Sequence, residues 1–282
     1  NEKFLKVGYF AKSNFDFSRK EKSIKKVAKK IAELFNGGKF KFEIPVHPSY
    51  YVQGFNLEKL RIFSSKMVPI AYCLFSYEGN YFKTIFKIGD DLRQDAMVLQ
   101  IFKIMDKIWL ENDLDLKLSI YNICPIGLKY GFMECVDGTT IEEVQNKESG
   151  VGGALDRELL YNYLKKKSLK VNKSKDALPL ENVLDNFIRS LAGYCVATCV
   201  MGIADRHPAN VMVKNNGIFF HIDFGHIFGN FKVKFGFKRE RSLFLLTPNM
   251  AYIYTKCNSD EKFKSYCVEA FNIVRRNSTK LI

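Results

Sequence analysis

Apolar and polar positions alternate along this chain with two different periods, and the change between them divides it. In Ser18–Phe35, Ile24, Val27, Ala28, Ile31, Leu34 and Phe35 fall on one face of a helix, while Arg19, Lys20, Lys22, Lys25, Lys26, Lys29 and Lys30 occupy the rest. Asn36-Gly37-Gly38 is the expected stop. Residues 39–56 carry prolines and read as irregular backbone, with His47 a loop residue. Strand signals then come in series at Leu57–Phe63, Ile70–Ser76 and Tyr81–Ile88, joined by turns at Ser64-Ser65-Lys66 and Glu78-Gly79-Asn80. Asp90–Glu111 shows helical spacing through Met97, Ile101, Ile104, Met105 and Ile108. Two more strands are predicted near Leu116–Tyr121 and Gly131–Val136. Beyond Asp137-Gly138 the pattern turns helical, with helices at Leu155–Lys166 and Leu180–Ala204 around a loop rich in Lys, Ser and Asn. The expected class is α+β: a β-rich lobe at 39–136 and a mainly helical one at 137–282, preceded by a basic helical segment at 1–38.

One hairpin interrupts the helical half and supplies the first candidate chemistry. Val211-Met212-Val213 and Ile218-Phe219-Phe220 flank Lys214-Asn215-Asn216-Gly217, whose Asn-Gly pair is a hairpin-turn signal. The pairing brings Asn210 and Asp223 to neighbouring ends. Two hard oxygen ligands so arranged suit Mg²⁺ carrying nucleotide phosphates. A β-rich lobe, a hinge and a helical lobe with a metal hairpin is the plan of a kinase. Composition narrows the partners. Of the 282 residues, 44 are Lys or Arg and 30 Asp or Glu, a net charge of +14 that favours an anionic partner. No aromatic–basic recognition motif supports nucleic acid. The seven cysteines show neither CxxC nor zinc spacing and read as buried thiols of a reducing compartment. No signal peptide is apparent, and the longest uncharged apolar stretch, Leu191–Ala204, is too short to span a bilayer.

Three motifs occur in order: Lys87-Ile-Gly-Asp-Asp-Leu-Arg-Gln-Asp95, Ala204-Asp-Arg-His-Pro-Ala-Asn210 and His221-Ile-Asp-Phe-Gly-His226. Together they resemble the phosphoinositide 3-/4-kinase family, from about Phe42 to the last residue. Ser190–Thr198 and Lys234-Phe-Gly-Phe-Lys-Arg-Glu-Arg241 resemble its class I-like 3-kinase branch. The resemblance implies a bilobal, protein-kinase-like fold and transfer of the ATP γ-phosphate to the 3-hydroxyl of phosphatidylinositol or its phosphorylated forms. It implies ATP and Mg²⁺ as cofactors. A phosphoinositide in an anionic membrane and a regulatory subunit are the implied partners, with a cytoplasmic protein recruited peripherally to membranes. A 4-kinase, a protein kinase of the same superfamily and an inactive nucleotide-binding scaffold are the alternatives. The chain is expected to be cut at both ends, with further helices following in full-length relatives.

Roles are implied residue by residue. Lys87 meets the nucleotide phosphates, and Asp95 orients it and lines the pocket; Asp90 and Asp91 serve the helix N-terminus. Ser65 and Lys66 hold phosphate from the turn. Glu134 and Val136 offer backbone groups to the adenine edge, Met133, Met212 and Ile222 sandwich the purine, and Tyr121 lies deep in the pocket. Asn210 and Asp223 bind the metal. Asp205 serves the substrate hydroxyl or structural support, His226 is the base and His207 stabilises the transferring phosphate. Arg206 makes a structural ion pair, and His221 is core. Lys232, Lys234, Lys238, Arg239 and Arg241 read the headgroup phosphates. This chain departs from the family's usual pattern at Ala204, at Pro208-Ala209, at Ala71, and at Met67, where a second basic residue often stands.

Overall fold

The computed structural model of the chain describes residues 2–148, 156–171, 178–229, 233–234, 237–238 and 242–281. The chain divides into two units, Asn1–Leu99 with Tyr121–Val136, and Gln100–Ile120 with Asp137–Ile282. The class is mixed α+β, as the two sequence periods predict.

The first unit opens with α1 (Glu2–Asn14) and α2 (Lys20–Leu34). The strands β1 (Lys39–Ile44), β2 (His47–Phe55), β3 (Arg61–Ile62), β4 (Ile70–Ser76), β5 (Tyr81–Ile88), β6 (Ile123–Gly127) and β7 (Tyr130–Glu134) form one seven-stranded antiparallel sheet. Its order is β1-β2-β4-β5-β7-β6, with β3 paired to β4. Residues 1–38 do not merely precede this sheet. Phe4, Val7, Val27, Ile31 and Phe35 share one core cluster with Tyr72, Phe86 and Phe132. The Phe4 ring lies 4.9 Å from Phe132 and 5.1 Å from Phe35, in edge and tilted geometries that aromatic pairs favour. Gly8 allows the close approach, since a Cβ there would stand 2.1 Å from Ile88 Cδ1.

Several expectations are corrected in this unit. Residues 39–56 are a hairpin, not irregular backbone, and His47 begins β2. Pro45 falls in the turn and Pro48 near the turn end of β2, where a missing N–H costs little. The strand predicted at Leu57–Phe63 is a 3₁₀ turn, Leu57–Lys59, followed by β3; the Asn56 side chain accepts from Lys59 N and caps that turn. Ile70–Ser76 and Tyr81–Ile88 are strands at the expected bounds.

Helix α3 (Leu92–Leu110) runs from the first unit into the second. Its buried stripe is Leu92, Val98, Leu99, Phe102, Met105, Ile108 and Trp109, and the predicted Met97 is exposed. The strand expected at Leu116–Tyr121 does not form: Lys117 turns the chain with φ +52°, and the segment is neither strand nor helix. Its alternation reflects packing on a helix, α6 (Leu180–Val200), rather than in a sheet. Tyr194 Oη donates to Ser119 O at 2.9 Å, Arg189 Nη1 donates to Asp115 O at 3.2 Å, and a Cβ on Gly193 would meet Leu118 Cδ1 at 2.5 Å.

The rest of the second unit comprises β8 (Thr139–Thr140), α4 (Ile141–Glu148), α5 (Leu159–Val171), β9 (Val211–Val213), β10 (Phe219–His221), β11 (Val233–Lys234), β12 (Phe237–Lys238), α7 (Pro248–Lys256) and α8 (Asp260–Arg276). Helix α5 begins later than the predicted Leu155 and extends past Lys166. Helix α6 stops at Val200 rather than Ala204, and Gly202 follows with φ +55°. Trp109 Nε1 donates to Ala270 O at 3.0 Å, and Asp185 on α6 accepts from Arg189 at 2.6 Å and Lys262 at 2.7 Å, which fastens α8. None of the seven cysteines forms a disulfide among the described residues; Cys73 and Cys195 are buried. No described helix is long and apolar enough to cross a membrane.

Candidate active site

The hairpin β9–β10 forms in the expected register, with Phe219 opposite Val213, Phe220 opposite Met212 and His221 opposite Val211. The ladder continues one step, as Ile222 N donates to Asn210 O at 3.0 Å. Asn210 and Asp223 are thereby held at adjoining ends. Gly217, at φ +88°, makes the turn, and its close approach to Val183 O on α6 leaves no room for a Cβ. Ser190 Oγ on α6 accepts from Phe219 N at 2.9 Å and donates to Asn186 O at 2.6 Å, so one buried hydroxyl ties hairpin to helix.

Arg206 locks the loop before the hairpin to the segment after it. Its Nε donates to Ala204 O at 2.9 Å and its Nη1 to Ile222 O at 2.9 Å, while Nη2 donates to Asp223 O. The guanidinium also lies 5.5 Å from the Phe224 ring centroid. These three bonds go to backbone carbonyls and give the arginine a structural role. Ala204 N donates to His226 O at 2.9 Å, a further cross-link. Phe224 is buried edge-on against Phe102 of α3 at 5.5 Å.

Two carboxylates of this region differ sharply. Asp205 is buried, and its carbonyl accepts from Asn210 Nδ2 at 3.0 Å. That bond uses the amide's donor end and leaves Oδ1 as a hard acceptor. Asp223 is exposed. Both adopt left-handed backbone, φ +60° at Asp205 and +61° at Asp223, an uncommon state for residues other than glycine that collects at functional sites. His207 and His226 are half-buried, as are Met212 and Ile222. His221 is core, as expected: it is buried and stacks on Tyr194 at 5.0 Å. Burial first, and the Arg206 charge second, hold its pKa well below the ordinary range, so it stays neutral.

In the first unit Lys87 sits on β5 opposite Gly131, its side chain largely buried, and its Nζ lies 3.4 Å from the Asp90 carboxylate. Sequence reasoning gave both Asp90 and Asp91 to the helix terminus. It is Asp91 that acts there, accepting from Arg93 N at 3.1 Å. Asp95 is buried in the first turn of α3. The i, i+3 spacing from Lys87 to Asp90 was the signal available for the pair. Tyr121 and Met133 are buried. The Glu134 amide donates to Asn122 O at 2.8 Å, and its carboxylate accepts from Asn122 N at 3.0 Å. Ser65 and Lys66 are exposed in a turn closed by Val68 N donating to Ser65 O at 3.0 Å. Of the predicted headgroup cations, Lys232, Arg239 and Arg241 lie outside the described residues, while Lys234 and Lys238 belong to the paired strands β11 and β12.

The family model "Phosphatidylinositol 3- and 4-kinase" matches residues 81–282. The chain belongs to the phosphatidylinositol 3- and 4-kinase family. Its mixed α+β architecture is thus the protein-kinase-like one. Among curated relatives, Phosphatidylinositol 3-kinase 1 of Dictyostelium discoideum is 41% identical over 244 residues, covering 84% of this chain and 15% of the relative. Phosphatidylinositol 3-kinase piki-1 of Caenorhabditis elegans is 36% identical over 86% of this chain and 15% of its own length. Phosphatidylinositol 4-phosphate 3-kinase C2 domain-containing subunit alpha of Pongo abelii is 37% identical over 85% of this chain and 14% of its own. The chain therefore spans about 15% of the length of the phosphatidylinositol 3-kinases it matches.

Proposed function

We propose that this chain is the catalytic part of an ATP-dependent lipid kinase that transfers the γ-phosphate to the 3-hydroxyl of phosphatidylinositol or its phosphorylated forms. The observation that carries the reading is the double tie of Asn210 to Ile222 and of Arg206 to Asp223, in a chain whose relatives are named phosphatidylinositol 3-kinases. It fixes two hard oxygen donors at one end of a rigid hairpin.

The donor set fits Mg²⁺: the Asn210 Oδ1 left over from the bond to Asp205, and the exposed Asp223 carboxylate. When bound, Mg²⁺ supplies charge neutralisation at the nucleotide phosphates. Lys87, kept in place by Asp90, would neutralise further phosphate charge, with Asp95 buried nearby in sequence as its support. Ser65 and Lys66 would hold phosphate from their turn. The Glu134 amide is already engaged by Asn122, so the Glu134 carbonyl and the Val136 amide would meet the adenine edge. Met133, Met212, Ile222 and Tyr121 would line the purine. Asp205 is buried beneath its loop and would orient that loop; His226 would accept the hydroxyl proton, and His207 would stabilise the transferring phosphate. Lys232, Lys234, Lys238, Arg239 and Arg241 would read the headgroup phosphates. An anionic membrane would recruit the protein peripherally through charge, and a regulatory subunit remains part of the proposal.

Asp223→Asn tests it. Asn tolerates left-handed backbone, so the fold should persist with an unchanged melting temperature. Lipid phosphorylation should fall at least about 10³-fold, as expected when a ligand for transition-state charge is lost. Headgroup mapping of the wild-type product should place phosphate on the 3-hydroxyl. Full lipid kinase activity in Asp223→Asn, or a product at the 4-hydroxyl, would overturn the metal role or the regiochemistry respectively.

A further inference from the structure

Three elements of the first unit converge where α1 ends. Lys12, in the last turn of α1, brings its ammonium to 3.5 Å from Met67 Sδ. Met67 follows Ser65-Lys66 in the turn before β4. Gly89 lies just beyond β5, two residues after Lys87, with φ +105°. A Cβ on Gly89 would stand 2.7 Å from Met67 Sδ and 3.2 Å from Lys12 Nζ, so the bare glycine is what lets the three meet.

The position of Lys12 is set by packing. Gly8 and Lys12 stand four positions apart on one side of α1, and Gly8 seats that side against Ile88 of β5. The protein partner of the Lys12 ammonium there is a weak one, so the ammonium is free to exchange water for a stronger anion. A thioether is a weak acceptor, and Lys is a strongly hydrated point charge. Lys12 is exposed and forms no ion pair among the described residues. Lys87, by contrast, has Asp90.

We infer that Lys12 is a nucleotide-binding residue, supplying from α1 the second cation of the phosphate-binding turn at the place Met67 leaves neutral. Lys66 and Lys12 then flank the turn, one from within it and one from the helix behind. The assignment rests on the nucleotide role proposed for Ser65, Lys66 and Lys87. The ligand group is a polyphosphate, and the adenine and ribose take no part.

The test is calorimetric titration of the full chain with Mg²⁺-ATP and, separately, with adenosine. Lys12→Gln should weaken ATP about fivefold, the weight of one partly exposed ion pair, and leave adenosine unchanged. Lys12→Arg should stay within about twofold of wild type. In the Lys12→Gln background, Met67→Lys should restore most of the ATP affinity, which a merely structural role for Lys12 would not allow. Equal ATP affinity in wild type and Lys12→Gln overturns the inference alone, as does an equal loss for ATP and adenosine. A wild-type chain that binds no ATP overturns both it and the nucleotide reading beneath it.

Discussion

Single residues carry opposite electrostatic fates in this chain according to what stands beside them. Asp106 on α3 is half-buried; burial first, and the charge of Asp115 second, raise its pKa to about 6. For Asp115 burial is the largest single influence and raises its pKa, but hydrogen bonds from Lys117 together with the charges of Lys117 and Arg189 outweigh it and keep the group below its ordinary value. At pH 7 Asp106 is therefore ionised at a cost that the unfolded chain does not bear. A group raised in the folded state binds its proton there first, so its penalty fades as pH falls from about 6 toward the ordinary carboxylate range. Asp106→Asn should stabilise the chain at pH 7 by about 1 kcal/mol after allowing for solvent screening, or about 2 °C in melting temperature. The gain should shrink steadily toward pH 4. Thermal melts of both proteins between pH 4 and 8 check this, and a constant difference would refute the assignment of the effect to titration.

Elements were legible in proportion to how local their cause is. The strands at Ile70–Ser76 and Tyr81–Ile88 and the hairpin at 211–220 are bounded by turn residues, and all form as their alternation predicts. Residues 1–38 read as a basic helical segment, but the entry of Phe4, Val7 and Ala11 of α1 into the aromatic core of the sheet shows only in the tertiary packing. The segment 116–121 misled because a loop packed on a helix can show the same alternation as a strand in a sheet. At the site, residue types declared the Asn210–Asp223 pairing. The Arg206 clamp and the Lys12–Met67 contact depend on tertiary approach and left no period to read. Gly217 shows how an element can hinge on one atom. A Cβ there would lie 1.9 Å from Val183 O, and the backbone is left-handed besides. Gly217→Ala should destabilise by about 2 kcal/mol or more and lower the melting temperature by roughly 4 °C or more. Because the turn levers Asn210 and Asp223, kinase activity should fall with it even well below the melting temperature. Circular dichroism melts with parallel lipid kinase assays test both parts, and a wild-type melt would show that the hairpin does not need its close seat on α6.

At the scale of the whole molecule the excess of 44 cations over 30 acids, +14, works against the fold while serving the partner proposed for it. Like charges repel more in the folded state than in the expanded one, and salt screens them over a Debye length near 10 Å at 0.1 M. Part of this excess sits on α2, where Lys22, Lys25, Lys26 and Lys29 are exposed together, opposite the buried Ser23, Val27 and Ile31. They form no ion pair among the described residues. The chain should therefore melt higher as NaCl rises from about 20 to 300 mM, by a few degrees, because repulsion is screened faster than the scattered surface pairs are weakened. Binding to vesicles of anionic lipid should move the other way and weaken across the same range. Replacing the four α2 lysines with Gln should flatten both slopes without lowering the melting point in low salt. Two slopes of the same sign would mean that salt acts through something other than this charge, and an unchanged melting temperature would mean that the excess is already neutralised within the fold.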